Sequence, residues 1–222
     1  MILTHARVRA FAKAAAIAGW ITLALRFYLS ISTSLADGNS VGAGIVTFFS
    51  YFTVLTNILV TLALTAGGWI SRQSHAQTSI LRFFSKPHVA TAIAVYVTVV
   101  AVIYHILLSH LWDPQGLSKA LDVMQHSVMP GFYLLYWWWG IPKRSLQWRG
   151  AITWLCYPIS YSIYTLLLGA IRNKYPYPFA DVNALGYGQV IKNSISIYFF
   201  FTLLSLAFIG LGRLPQPRSI QS

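Results

Sequence analysis

Thr53, Thr56 and Asn57 are spaced so that a helix sets all three on one face, because residues three and four apart are surface neighbours. They lie inside the apolar run 48–64. His126 stands near the start of a second apolar stretch, 123–142, that carries no charged residue. An imidazole in such a place is costly unless it faces protein or water, so it points to chemistry. A threonine hydroxyl is a weak nucleophile and needs a base within hydrogen-bond reach. His126 is the natural base, and Asp122, one helical turn earlier, is placed to orient its ring. Asn57 or backbone N–H groups are candidate donors to a developing oxyanion. The competing reading is structural, since threonines in membrane helices commonly bond back to their own helix or across to a neighbour.

These residues belong to a chain of 222 residues, 56% hydrophobic and 9% charged, with mean hydropathy +0.60. A water-soluble domain of this size is not so poor in charge, which predicts an integral membrane protein. Charge-free stretches run over 39–71, 87–112, 123–142, 150–171 and 193–212, and a sixth, 11–35, carries Arg26 inside it. Each can hold the roughly 20 apolar residues that cross ~30 Å of hydrocarbon. The expectation is an all-α polytopic protein: one domain over 1–222 with six transmembrane helices near 11–35, 46–70, 88–111, 123–140, 150–171 and 189–211.

The net charge of +12 does not indicate nucleic acid, because the basic residues fall almost entirely in loops and there is no glutamate. One side collects Arg7, Arg9, Lys13, Arg72, Arg82, Lys86, Lys143, Arg144, Arg149, Arg213 and Arg218 without an acid. The other holds Lys119, Arg172, Lys174 and Lys192 with all four acids: Asp37, Asp113, Asp122 and Asp181. Positive residues stay inside, so both termini are expected in the cytoplasm. The length of the first apolar segment favours a retained anchor over a cleaved leader.

With that topology, Thr53 lies roughly 10–12 Å below the outer surface, His126 about 6 Å and His105 about 10 Å, at ~1.5 Å per residue. All three therefore share the outer half of the bilayer. Arg26, past the middle of the first helix, either lines a polar cavity that holds a carboxylate or snorkels outward. His105, His110, His126, Asp113 and Asp122 together would suit zinc, but His105 and His110 are five apart and diverge around a helix, and no His-x-x-x-His pair exists. The expectation is no metal and no cofactor. Cys156, the single cysteine, is expected as a small buried packing residue. Tyr136 to Trp139 form an expected inner aromatic belt, the 71–86 loop an interfacial segment, Gly116 and Gly186 turns, and Pro215 and Pro217 the stop of the last helix. Broken helices at Pro130 or Pro158 would instead point to a carrier.

Several segments, in order, carry a resemblance: Phe49-Ser-Tyr-Phe-Thr-Val-Leu-Thr-Asn57, His126-Ser-Val-Met-Pro130, Pro158 with Tyr161 and Tyr164, Tyr175-Pro-Tyr-Pro-Phe-Ala-Asp-Val182, Gly186-Tyr-Gly188 and Asn193. Together they look like the bacterial Pr6Pr-type membrane proteins, and more distantly are similar to the eukaryotic androgen-induced protein family. The resemblance covers helices two to six. It implies hydrolysis, within the membrane, of fatty acid esters of hydroxy fatty acids by a threonine and a histidine. On these motifs the histidine falls on His126 with Pro130, and the threonine on Thr53 when aligned without a gap, or on Thr56 with a small shift. The family's Tyr-Pro-Phe loop falls on Tyr177-Pro-Phe179, which makes Tyr177 a substrate-binding candidate beside Arg26, the candidate from the polar-cavity reading. Where the family carries an acid or amide three residues after its threonine, this chain has Thr56, with Asn57 next. The implied partners are a membrane lipid or lipid-ester substrate and the bilayer; the sequence carries no signal for oligomeric state.

Overall fold

A computed structural model of the chain describes residues 4–70 and 79–213. Among these residues there is no β-strand. Five helices are long and apolar enough to cross a bilayer: His5–Ala36, Phe52–Trp69, Pro87–Leu108, Gly150–Arg172 and Val182–Leu211. The chain is thus an integral membrane protein. Arg72, Arg218, His75, Pro215 and Pro217 lie outside the described residues.

The helices in order are α1 His5–Ala36, α2 Val41–Ser50, α3 Phe52–Trp69, α4 Ser79–Phe84 and α5 Pro87–Ile103. After α5 a wide π-turn covers Tyr104–Leu108. Then come α6 Gly116–Val123, a second π-turn Met124–Val128, α7 Met129–Gly140, α8 Gly150–Thr153, α9 Cys156–Arg172 and α10 Val182–Leu211. The sixth expected span, 123–140, runs from the end of α6 through the second π-turn and α7 and is not among the five.

The core forms where small residues let backbones approach. Ala12, Ala15, Ala16 and Gly19 make one buried face of α1 that packs along α3. A Cβ on Gly19 would sit 2.5 Å from Thr61 Oγ1, so this crossing requires glycine. The middle of α5, from Ala90 to Val97, is buried nearly all round between α3 and α7.

One expected helix is corrected. The run 46–70 is not continuous: α2 ends at Ser50, Tyr51 is extended (φ −89°, ψ 128°), and α3 begins at Phe52. Breaking a helix in lipid frees backbone groups that must find partners. They do. Tyr161 donates to the Ser50 carbonyl at 2.8 Å, and the Tyr51 carbonyl accepts from Val54 and Leu55 N–H at 3.1 and 3.2 Å. Arg172 holds the same region from α9 by donating to Thr47 Oγ1 at 3.3 Å.

Other expectations divide along packing. Gly116 (φ +57°) and Gly186 (φ +72°) take the left-handed backbone that turns require, the latter just before the helix six boundary expected at 189. Of the aromatic belt, Tyr136 and Trp137 turn into the core, where Trp137 donates to Thr91 Oγ1 at 2.9 Å, and Trp138 stays exposed. Cys156 is exposed rather than buried, and exposure costs a small, weakly polar thiol little. The α4 helix keeps Ile80 and Phe83 exposed beside Lys86, the pattern of an interfacial segment.

Candidate active site

The break at Tyr51 makes Thr53 the second residue of a helix rather than a mid-helix residue. Its hydroxyl oxygen lies 3.3 Å from His126 Nε2. Thr53 is 8% exposed and the His126 side chain 11%, so the pair is shielded from lipid yet bordered by open space. His126 sits in the π-turn Met124–Val128, where Met129 N–H reaches back to the Met124 carbonyl. Pro130 explains this local widening. It has no N–H for the His126 carbonyl four residues earlier, and its ring would crowd that carbonyl in a regular α-turn.

The far side of the imidazole is fixed as well. His126 Nδ1 lies 3.0 Å from the Asp122 carbonyl oxygen and 3.2 Å from Asp122 Oδ1. Both are acceptors, so Nδ1 carries the proton and donates, which leaves Nε2 as the acceptor facing Thr53. Tyr104 hydrogen-bonds the other carboxylate oxygen of Asp122, and its ring stacks on His126. Threonine and imidazole therefore stand in the order that activates a hydroxyl, with the Nδ1 hydrogen bond made to the Asp122 main-chain carbonyl and the Asp122 carboxylate beside it.

Tyr177 approaches Thr53 from the outer loop. Its hydroxyl accepts from Thr53 N–H at 3.4 Å and lies 3.5 Å from Thr53 Oγ1. The loop is positioned by its own residues: Asp181 caps α10 by accepting from Asn183 N–H at 2.9 Å, and Asn193 donates to the Phe179 carbonyl at 2.8 Å. Phe179 stacks on Tyr177 with planes 6° apart. Burial raises the Tyr177 phenol above its ordinary value, so it stays protonated and able to donate.

Two of the supporting candidates have other work. Asn57 spends its amide N–H groups on the Thr53 carbonyl (2.9 Å) and the Gln125 carbonyl (3.2 Å), so it ties α3 to the π-turn instead of facing an oxyanion. His105 is exposed and paired with Ser127 at 3.1 Å, away from Thr53, because the Tyr104–Leu108 π-turn aims Tyr104 inward and His105 outward. Thr56 is fully buried with its hydroxyl 3.1 Å from Tyr157, a phenol rather than a base. Among the described residues no three histidine, cysteine or acidic side chains gather as a metal centre requires.

Two cavities meet at Thr53, which borders both together with Tyr104, Leu108 and Tyr177. The first, of about 80 Å³, opens among α5, α9 and α10 and is walled by groups such as Val99, Ile103, Leu166 and Phe201. The second, of about 210 Å³, lies under the outer loops and carries Arg26, Gln125 and His126. Sequence reasoning missed Tyr104 and Gln125. Their signal, an i, i+4 relation to another site residue, is absent for Tyr104, and Gln125 merely adjoins His126.

No protein-family model matches the chain, and no curated protein or solved structure matches it either.

Proposed function

We propose that the protein is a six-helix intramembrane hydrolase of long-chain lipid esters, of the fatty-acid-ester-of-hydroxy-fatty-acid type, with Thr53 as nucleophile and His126 as base. The observation that carries this reading is the 3.3 Å contact between Thr53 Oγ1 and His126 Nε2, with Asp122 on the opposite ring nitrogen. Thr53 Oγ1 attacks the ester carbonyl as Nε2 takes its proton. The oxyanion takes its hydrogen bonds from the Tyr177 hydroxyl, 3.5 Å from Thr53 Oγ1, and from Thr53 N–H, which otherwise donates to that hydroxyl at 3.4 Å. The alcohol leaves with the proton from Nε2, and water then frees the fatty acid from Thr53 by the same route in reverse order. The chain's charge distribution supports cytoplasmic termini, with the site in the outer leaflet, and the resemblance to bacterial membrane proteins supports a bacterial cytoplasmic membrane.

In liposomes, Thr53→Ala and His126→Ala should each lower turnover by roughly 10³-fold or more, while Thr56→Val stays within about threefold. A fluorophosphonate should label Thr53. Full activity in both alanine variants ends the proposal.

A carrier is the second reading, and one observation favours it: α2 and α3 are separated at Tyr51, and broken spans are a carrier signature. The purified protein moving a lipid across liposomes without cleaving any ester selects that reading.

A further inference from the structure

The second cavity is furnished with donors and no acid. Arg26 borders it, forms no salt bridge among the described residues, and lies 5.9 Å from the Trp112 ring centroid. Asp122, the acid nearest the site, does not border the cavity; its Oδ2 pairs with Tyr104 and its Oδ1 lies 3.2 Å from His126 Nδ1. Gln125 borders the same cavity, is 2% exposed, and its amide nitrogen has no acceptor among the described residues. A buried amide donor without an acceptor is costly, and half-buried Arg26 brings a positive charge to the same cavity, which no acid borders. One ligand serves both: a group with negatively charged oxygens, which a planar guanidinium fork and a neutral amide can share.

The hydrolase reading adds a direction. His126 borders only this cavity, not the apolar one, and it is the group that must return a proton to the departing alcohol oxygen. The leaving half therefore lies on the Arg26 side and the acyl half among α5, α9 and α10. We infer that the Arg26–Gln125 cavity binds an anionic oxygen group, a carboxylate or a phosphate monoester, borne by the alcohol half of the ester. The assignment to the alcohol half rests on the hydrolase reading; the anion site does not.

The test uses the full chain in nanodiscs and tritiated hydroxystearate as probe, displaced by its unlabelled methyl ester or by a lysophosphatidate. The wild type should bind the carboxylate about tenfold more tightly than the methyl ester, a preference that falls below about twofold in Arg26→Gln. Arg26→Lys should keep part of the preference, which shows that the site is folded. Gln125→Leu should weaken carboxylate binding about threefold and leave methyl ester binding unchanged. Stronger competition by lysophosphatidate than by hydroxystearate assigns the site to phosphate, and weaker competition to carboxylate. Equal affinity for acid and methyl ester in the wild type, or an undiminished preference in Arg26→Gln, overturns the proposal. A parallel assay of palmitoyl hydroxystearate and its methyl ester keeps the two ideas apart: cleavage of neither removes the hydrolase reading, and the binding result still judges the anion site.

Discussion

The phenol ring of Tyr104 lies flat on the imidazole of His126, with centroids 3.7 Å apart and planes 9° from parallel. The same phenol hydrogen-bonds the Asp122 carboxylate that faces Nδ1 of the ring it covers. One side chain thus holds the base by its face and its orienting acid by a hydrogen bond, and each contact belongs to a different part of the phenol.

That division predicts separable effects. Tyr104→Phe keeps the stack and loses the hydrogen bond, so kcat should fall by about three- to tenfold with KM little changed. Tyr104→Leu loses both, and the fall should approach about 10²-fold because a base displaced by an ångström is a poor base. The acidic limb of the pH–rate profile should move in both variants, which a purely structural role would not produce. Equal, near-wild-type rates and unmoved profiles in both would remove Tyr104 from the site.

Gly19 bears on the same chemistry from a distance. A methyl group there would meet Thr61 Oγ1 at 2.5 Å and Met129 Cε at 2.8 Å. Thr61 donates to the Asn57 carbonyl at 2.7 Å, and Asn57 in turn holds the Thr53 carbonyl at 2.9 Å. Gly19→Ala should therefore cost about 1–3 kcal/mol of stability and lower activity in step. The midpoint of thermal denaturation in detergent, read beside turnover, checks both.

Lys143 introduces a pH dependence that lies outside the site. It is 1% exposed, donates to the Trp138 and Ile141 carbonyls at 2.8 and 2.9 Å, and sits 4.6 Å from the Trp137 ring centroid. Burial pushes its ammonium down from 10.5 to about 8. Between these values the unfolded chain holds the proton that the folded one has released, so stability rises with pH from about 8 toward 10.5. The neutral amine still has hydrogens for both carbonyls, so no contact is lost in exchange. The denaturation midpoint should climb across that window in the wild type, and the slope should shrink in Lys143→Met. Identical slopes would show that the amine is not the titrating group.

The amino-acid order alone determined the membrane character of this chain, because hydrocarbon thickness converts directly into lengths of apolar sequence, and five helices have that length. It also marked the turns at Gly116 and Gly186, where the backbone demand is local to one residue. It singled out Thr53, His126 and Arg26, since polar side chains in apolar runs are rare, Asp122 by its place one turn before His126, and Tyr177 through the loop resemblance. Only the tertiary structure decided that the second apolar run breaks at Tyr51, for no glycine or proline marks the place. The break persists because Tyr161 and Arg172, more than a hundred residues away, take up groups around it. The inward turn of Tyr104, the outward turn of His105 and the engagement of Asn57 were likewise settled by packing between helices. Hydrophobic length is a property of a segment, whereas the partner of a freed backbone or side-chain group exists only once distant segments meet.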